Sequence, residues 1–154
     1  MGEDRKELIR YLSRKNSYQR QLDKLIPILE KVLEKTNFEI LDLEKMDEVI
    51  ERHPFRNPDW DNELIRDFND DDSEATSSFL YLILENAKTI ILYFETYKIG
   101  ILTSTSLVIN NWKKFLSIDN TSIIFDPDSD HALKIEKYLN QIEFKATENG
   151  WKLY

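Results

Sequence analysis

The segment Thr89 to Tyr97 reads TIILYFETY, and its first six residues carry no charge. A strand with one solvated face alternates apolar and polar side chains; a strand that does not alternate needs cover on both faces. This run therefore constrains the chain to a sheet with packing elements on its two sides. The residues around it supply candidates. Ile101-Leu102 follows a turn at Gly100 and starts a second strand. The spacing of Leu107, Val108, Trp112 and Phe115 predicts a helix over 105–116, with Ser104 or Thr105 as its cap. Thr121 to Phe125 (TSIIF) reads as a strand, 131–139 as a helix with Ala132, Ile135 and Leu139 inward, and 142–147 as a last strand before an Asn149-Gly150 turn.

The first half has a different period. Leu22, Leu25, Leu29 and Val32 share one helical face, and Leu8 and Leu12 continue the stripe backward. One long helix over 3–35 and two helices broken near Ser13–Ser17 fit equally, with Pro27 kinking rather than ending the element. A short extended segment over 38–43, a helix over 44–52 and a buried helix over about 73–87 follow. Pro54 and Pro58 exclude regular structure between them. At 154 residues the chain makes one domain. It divides into a helical N-terminal layer at 1–35, an acidic helical segment at 36–88 and a sheet-containing part at 89–154. The expected fold is α+β, with a small mixed sheet of three to five strands flanked by helices.

Charge is unevenly placed. The net charge is −8. Residues 1–35 carry nine basic and six acidic side chains, residues 36–77 four and fourteen, and residues 78–154 eight and nine. A surface built from the middle segment repels nucleic acid and anionic membrane and steers in a basic protein. Within it, Asp59, Asp61, Glu63, Asp67, Asp70, Asp71 and Asp72 supply the field, and Phe55 and Trp60 are candidate buried anchors of a partner interface. A solvated acidic loop with Trp60 folded inward is the plainer alternative.

Little catalytic chemistry is legible. The chain has no cysteine, which removes thiolate nucleophiles, thiolate metal sites and disulfides and fits a reducing cytoplasm. His53 and His131 are its two histidines and give no ligand spacing. Its three glycines provide no phosphate-cradling loop. Asp126-Pro127-Asp128 after an apolar strand invites comparison with phosphate-transfer signatures, but Asp130 stands where a Thr or Val is needed. Read as a calcium loop, the same frame places His131 where glycine is required and Lys137 where glutamate is required. A turn and a helix cap explain the segment, so the expectation is no catalytic residue, no metal and no cofactor.

Pro58-Asp59-Trp60-Asp61, Asp71-Asp72-Ser73, Gly100-Ile101-Leu102, Asn111-Trp112-Lys113-Lys114-Phe115 and Ser122-Ile123-Ile124-Phe125 occur in this order along the chain. The layout resembles small acidic cytoplasmic proteins of Gram-positive bacteria encoded beside secreted polymorphic toxins, which act as immunity proteins. The resemblance covers about 55–145 and rests on packing and turn residues. It implies a non-catalytic protein that binds a cognate toxin, often a basic nuclease. A regulatory or adaptor protein with a basic partner is the first alternative, and a divergent metal-dependent hydrolase using Asp126 and Asp128 the second.

Overall fold

A computed structural model describes residues 2–33, 38–52, 60–129 and 131–147, with the backbone alone for 60–65 and 147. The elements in chain order are α1 (Gly2–Leu33), β1 (Phe38–Ile40), α2 (Leu43–Arg52), β2 (Trp60–Asn69), α3 (Ser73–Leu84), β3 (Thr89–Phe94), β4 (Ile99–Ser104), α4 (Thr105–Ile118), β5 (Thr121–Phe125), β6 (Ala132–Tyr138) and β7 (Gln141–Thr147). The strands form one sheet in the order β1-β4-β3-β5-β6-β7-β2. The α+β class holds, but the sheet has seven described strands rather than three to five, and every pairing is antiparallel rather than mixed.

The apolar run behaves as its composition requires. In β3, Ile90 through Phe94 are all buried. Ile90, Leu92 and Phe94 point to one face and join Leu25 and Leu29 of α1, Leu80 and Leu84 of α3, and Val108, Trp112 and Phe115 of α4. Ile91 and Tyr93 point to the other and join Met46 of α2, Ile123 and Phe125. Helices therefore cover this strand on both sides, and α1 shares its layer with α4 and α3 rather than standing apart.

Local chemistry sets the element ends. Ser104 caps α4, its Oγ accepting from the Leu107 N–H at 3.2 Å. Asp72 caps α3, with Oδ1 accepting from the Ala75 N–H at 3.2 Å. The buried Asp119 carboxylate accepts from the Thr96 N–H at 2.8 Å, the Thr96 hydroxyl at 2.9 Å and the Thr121 N–H at 3.2 Å. It thus fastens the β3–β4 turn to the end of α4. Trp112 Nε1 donates to Ser77 Oγ at 2.8 Å, locking α4 against α3. Gly100 is required by close approach: a Cβ there would lie 2.5 Å from Met46 Sδ and 3.3 Å from Ile91 Cγ2.

Two further expectations are corrected, and one open alternative is decided. Residues 132–138 form strand β6, not a helix, because Leu133 and Ile135 alternate with Lys134 and Glu136 and pair with β5 and β7. Residues 60–69 are an edge strand rather than part of an acidic loop. α1 is one uninterrupted helix through Ser13–Ser17 and through Pro27, whose position is exposed. The irregular segment around Pro54 and Pro58 and the Asn149-Gly150 turn lie outside the described residues.

Candidate protein-binding face

The face of the sheet opposite α1, α4 and α3 is covered by α2 over β4, β3 and β5, and is polar over β6, β7 and β2. Register decides what that open part displays. Residues directly opposite in antiparallel strands share a face. Asp67 of β2 pairs with Glu143 of β7, and Glu143 pairs with Glu136 of β6. Three carboxylates thus line up across three adjacent strands, about 5 Å from strand to strand. The next rung pairs Lys134 with Lys145. Like charges directly opposite destabilise a sheet, and the relief here runs along each strand. Lys134 Nζ lies 3.7 Å from Glu136 Oε2, and Lys145 Nζ lies 3.4 Å from Glu143 Oε1.

Tyr138 reports on this field. Its hydroxyl donates a hydrogen bond to Glu136 Oε2. That bond foremost, then burial and the charges of Glu136, Glu143 and Asp67, push its pKa up to about 12. The phenol therefore stays protonated at neutral pH. The Thr121 hydroxyl holds the other Glu136 oxygen at 3.4 Å.

Beside the row, the β2–α3 turn meets the β6–β7 hairpin tip, where the Asp70 N–H donates to the Asn140 carbonyl at 2.8 Å. The hairpin tip beside Asp70 carries Leu139, which is 94% exposed, and Tyr138, which is 47% exposed. Leu139 takes φ = 42°, the left-handed region that two-residue hairpin loops normally give to glycine.

Among the residues expected from sequence, Asp67, Asp70 and Asp71 are brought together at this end of the sheet. Asp72 is adjacent but acts as the α3 cap. The backbones of Trp60, Asp61 and Glu63 lie on β2, with Trp60 opposite Thr147 and a register shift before Ile65. Phe55 and Asp59 lie outside the described residues. Sequence reasoning missed Glu136, Tyr138 and Leu139 because 131–139 read as a helix with Leu139 inward, and missed Glu143 because it lies outside the acidic middle segment. The signal that could have found them is the period-two alternation of Leu133 and Ile135 with Lys134 and Glu136.

Other features carry less. The Asp126 carboxylate accepts from the Asp128 N–H at 3.0 Å and the Ser129 hydroxyl at 2.9 Å, so it closes the β5–β6 loop on itself. Among the described residues no group of three or more His, Cys, Asp or Glu is placed to hold a metal ion. A cleft of about 390 Å³ lies between α1, α2 and the β3–β4 turn, lined by Arg14, Tyr18, Asp47, Tyr97 and Lys98. Arg14 is paired there with Asp47 at 2.5 Å, and burial pushes the Tyr18 phenol up in pKa, with Asp42 and Glu44 adding to it. No described helix is long and apolar enough to cross a membrane.

No protein-family model, curated protein or solved structure matches this chain.

Proposed function

We propose that this chain is a non-catalytic immunity protein of the bacterial cytoplasm that binds and neutralises a cognate toxin with a basic surface, using no cofactor. The observation that carries the reading is the carboxylate row Asp67–Glu143–Glu136, extended by Asp70 and Asp71 at the adjoining turn. Like charges stacked across strands work against the fold. The same arrangement concentrates negative potential on one open face, which speeds capture of a basic partner and resists wrong ones. Leu139 and Tyr138 give that face an exposed apolar and aromatic contact, and interfaces draw most of their energy from a few such anchors inside a charged rim. Trp60, at the start of the same edge strand, is a further anchor in this reading.

The test uses the toxin domain encoded beside this gene. The variant carries Asp67→Lys, Asp70→Lys and Asp71→Lys together and leaves the Asp72 cap in place. Association at low ionic strength should slow by about tenfold or more, and its dependence on salt should flatten. Circular dichroism should be unchanged, since none of the three residues is buried. Unchanged association at low salt would rule out this face as the interface.

A further inference from the structure

The two edges of the sheet are not alike. The edge strand β1 has three residues, and the edge strand β2 has ten. Successive residues of a strand turn their backbone N–H and C=O groups to opposite sides. Asp70, just past β2, bonds through its N–H to the Asn140 carbonyl beside β7. Counting back from it, Phe68 and Arg66 turn their amides to β7, and Asn69, Asp67 and Ile65 turn theirs outward. The Asn69 carbonyl is taken by the Asp72 N–H in the turn to α3. Among the described residues no strand pairs with the outer edge at Ile65 and Asp67. The carboxylate row ends at this same edge. Glu136 and Glu143 each have a lysine two places along their own strand, Lys134 and Lys145. Asp67 has none, since Ile65 and Asn69 stand in those places. Arg66 is turned to the sealed side, where it lies over the Phe68 ring, 5.3 Å from its centre. Asp67 is exposed, and among the described residues no hydrogen bond or ion pair holds its carboxylate.

We propose that the toxin docks by laying an extended segment along the outer edge of β2 as a further strand, with a Lys or Arg side chain opposite Asp67. The inference rests on the toxin-binding reading and names how that surface is engaged. An exposed strand edge is a template for such pairing, in which main-chain bonds supply affinity and alternate side chains supply specificity. Residues opposite one another on paired strands share a face. The residue opposite Asp67 therefore extends the row Glu136–Glu143–Asp67 by one place, about 5 Å further on. A base there is an opposite charge beside the one carboxylate of the row that has no lysine along its own strand. The neighbouring rung, Lys134 with Lys145, ends at Ile65. It disfavours a second base two places along the partner's segment, which makes the edge selective among basic strands. A second copy of this chain is a poorer occupant. β2 carries Asp61, Glu63 and Asp67 against Arg66 alone, so two such edges repel.

Amide hydrogen exchange, read residue by residue by NMR on the full chain with and without the toxin domain encoded beside this gene, tests the edge. Binding should slow exchange at Ile65 and Asp67 by about tenfold or more, because their N–H groups become bonded. Ile65→Pro deletes an outward N–H that β7 does not use, and proline is tolerated on an edge strand. It should weaken toxin binding by about tenfold or more, chiefly through faster dissociation, with circular dichroism unchanged. If that variant does not fold, the exchange measurement on the wild-type chain decides alone. Asp67→Asn keeps the N–H and removes the charge, and should weaken binding by about two- to tenfold. Toxin that binds while Ile65 and Asp67 exchange as in the isolated chain would overturn the edge mode and leave the carboxylate face as the interface. Unchanged affinity in Asp67→Asn would remove the base from its place opposite Asp67 and overturn the proposed register. Toxin that does not bind the wild-type chain would overturn both this inference and the reading beneath it. Protection of the same amides that grows with the concentration of the isolated chain would also overturn it, in favour of a second copy.

Discussion

On one face of the sheet, three helices seal Ile90, Leu92, Phe94, Ile124, Leu133, Ile135 and Phe144 from water. On the other, α2 seals Ile91, Tyr93, Ile123 and Phe125, and stops before β6, β7 and β2. Phe144 and Glu143 are chain neighbours in β7, yet one is fully buried and the other belongs to a row of like charges. A single strand thus serves both faces, since successive side chains point to opposite sides. The sealed face holds the fold together. The open face is arranged against it, with carboxylate opposite carboxylate and lysine opposite lysine. Side chains on the two faces should therefore respond to substitution in opposite ways, and four experiments separate them.

The largest effect belongs to the sealed face. Phe144 sits 4.8 Å from Phe79 and 5.9 Å from Phe68, ring centre to ring centre, and is fully buried. Phe144→Ala should lower unfolding stability by about 3–5 kcal/mol through lost burial and the cavity left behind, measured by urea denaturation. Next is Gly100→Ala. The added methyl collides with Met46 Sδ, the end of a flexible side chain, so α2 or the methionine must shift. A loss of about 1–3 kcal/mol is expected. Combining it with Met46→Ala should give less than the sum of the two single losses, and simple additivity would show that the crowding lies elsewhere.

Ser122 breaks the apolar pattern of the sealed face. It is buried between Phe94 and Ile135 in the register, and its Oγ has no hydrogen-bond partner among the described residues. Ser122→Ala should therefore stabilise the chain, by about 1 kcal/mol, because a hydroxyl buried without a partner is removed. A destabilised variant in the same denaturation experiment would mean that the hydroxyl is satisfied.

The smallest effect belongs to the open face. Glu143→Lys places a cation between Asp67 and Glu136 and should raise stability by about 0.5 kcal/mol while weakening capture of a basic partner. It should also draw the Tyr138 phenol back down from about 12, since Glu143 is one of the charges holding it up. The sign of the pH dependence follows. A phenol whose folded pKa is raised contributes stability that is fully present below its ordinary value of 10 and is lost as pH rises towards about 12. The difference between wild type and Tyr138→Phe in alkaline unfolding measures this window. A loss of stability in Glu143→Lys would show that the row is satisfied as it stands and that the two faces are not opposed.

Much of the sealed face was legible in the order of the amino acids. The β3 run, the α4 stripe with its serine cap and the buried α3 are all local patterns, in which residues a few positions apart report one environment. The α3 cap is likewise a local feature, since Asp72 reaches its own helix within three residues. The open face was legible only in part. Asp67, Asp70 and Asp71 stood out as a run, but their companions Glu136 and Glu143 lie some seventy residues on, where acids and bases nearly balance. Across 132–139, Ala132, Ile135 and Leu139 satisfy a helical period as well as Leu133 and Ile135 satisfy a strand, and so short a segment is too little for periodicity to choose.

The amino-acid sequence by itself determined that a doubly covered strand must exist, which helices could cover it, and that negative charge is concentrated between residues 36 and 77. The tertiary structure alone decided that β6 is a strand, that β2 closes the sheet edge beside β7, and that Asp67, Glu143 and Glu136 form one row. The physical reason is register. A one-residue slip turns every side chain of a strand to the opposite face, and packing of Leu133, Ile135, Ile142 and Phe144 beneath the helices forbids that slip. The charges on the open face are therefore placed by the apolar residues behind them, through contacts between segments that are distant in the chain.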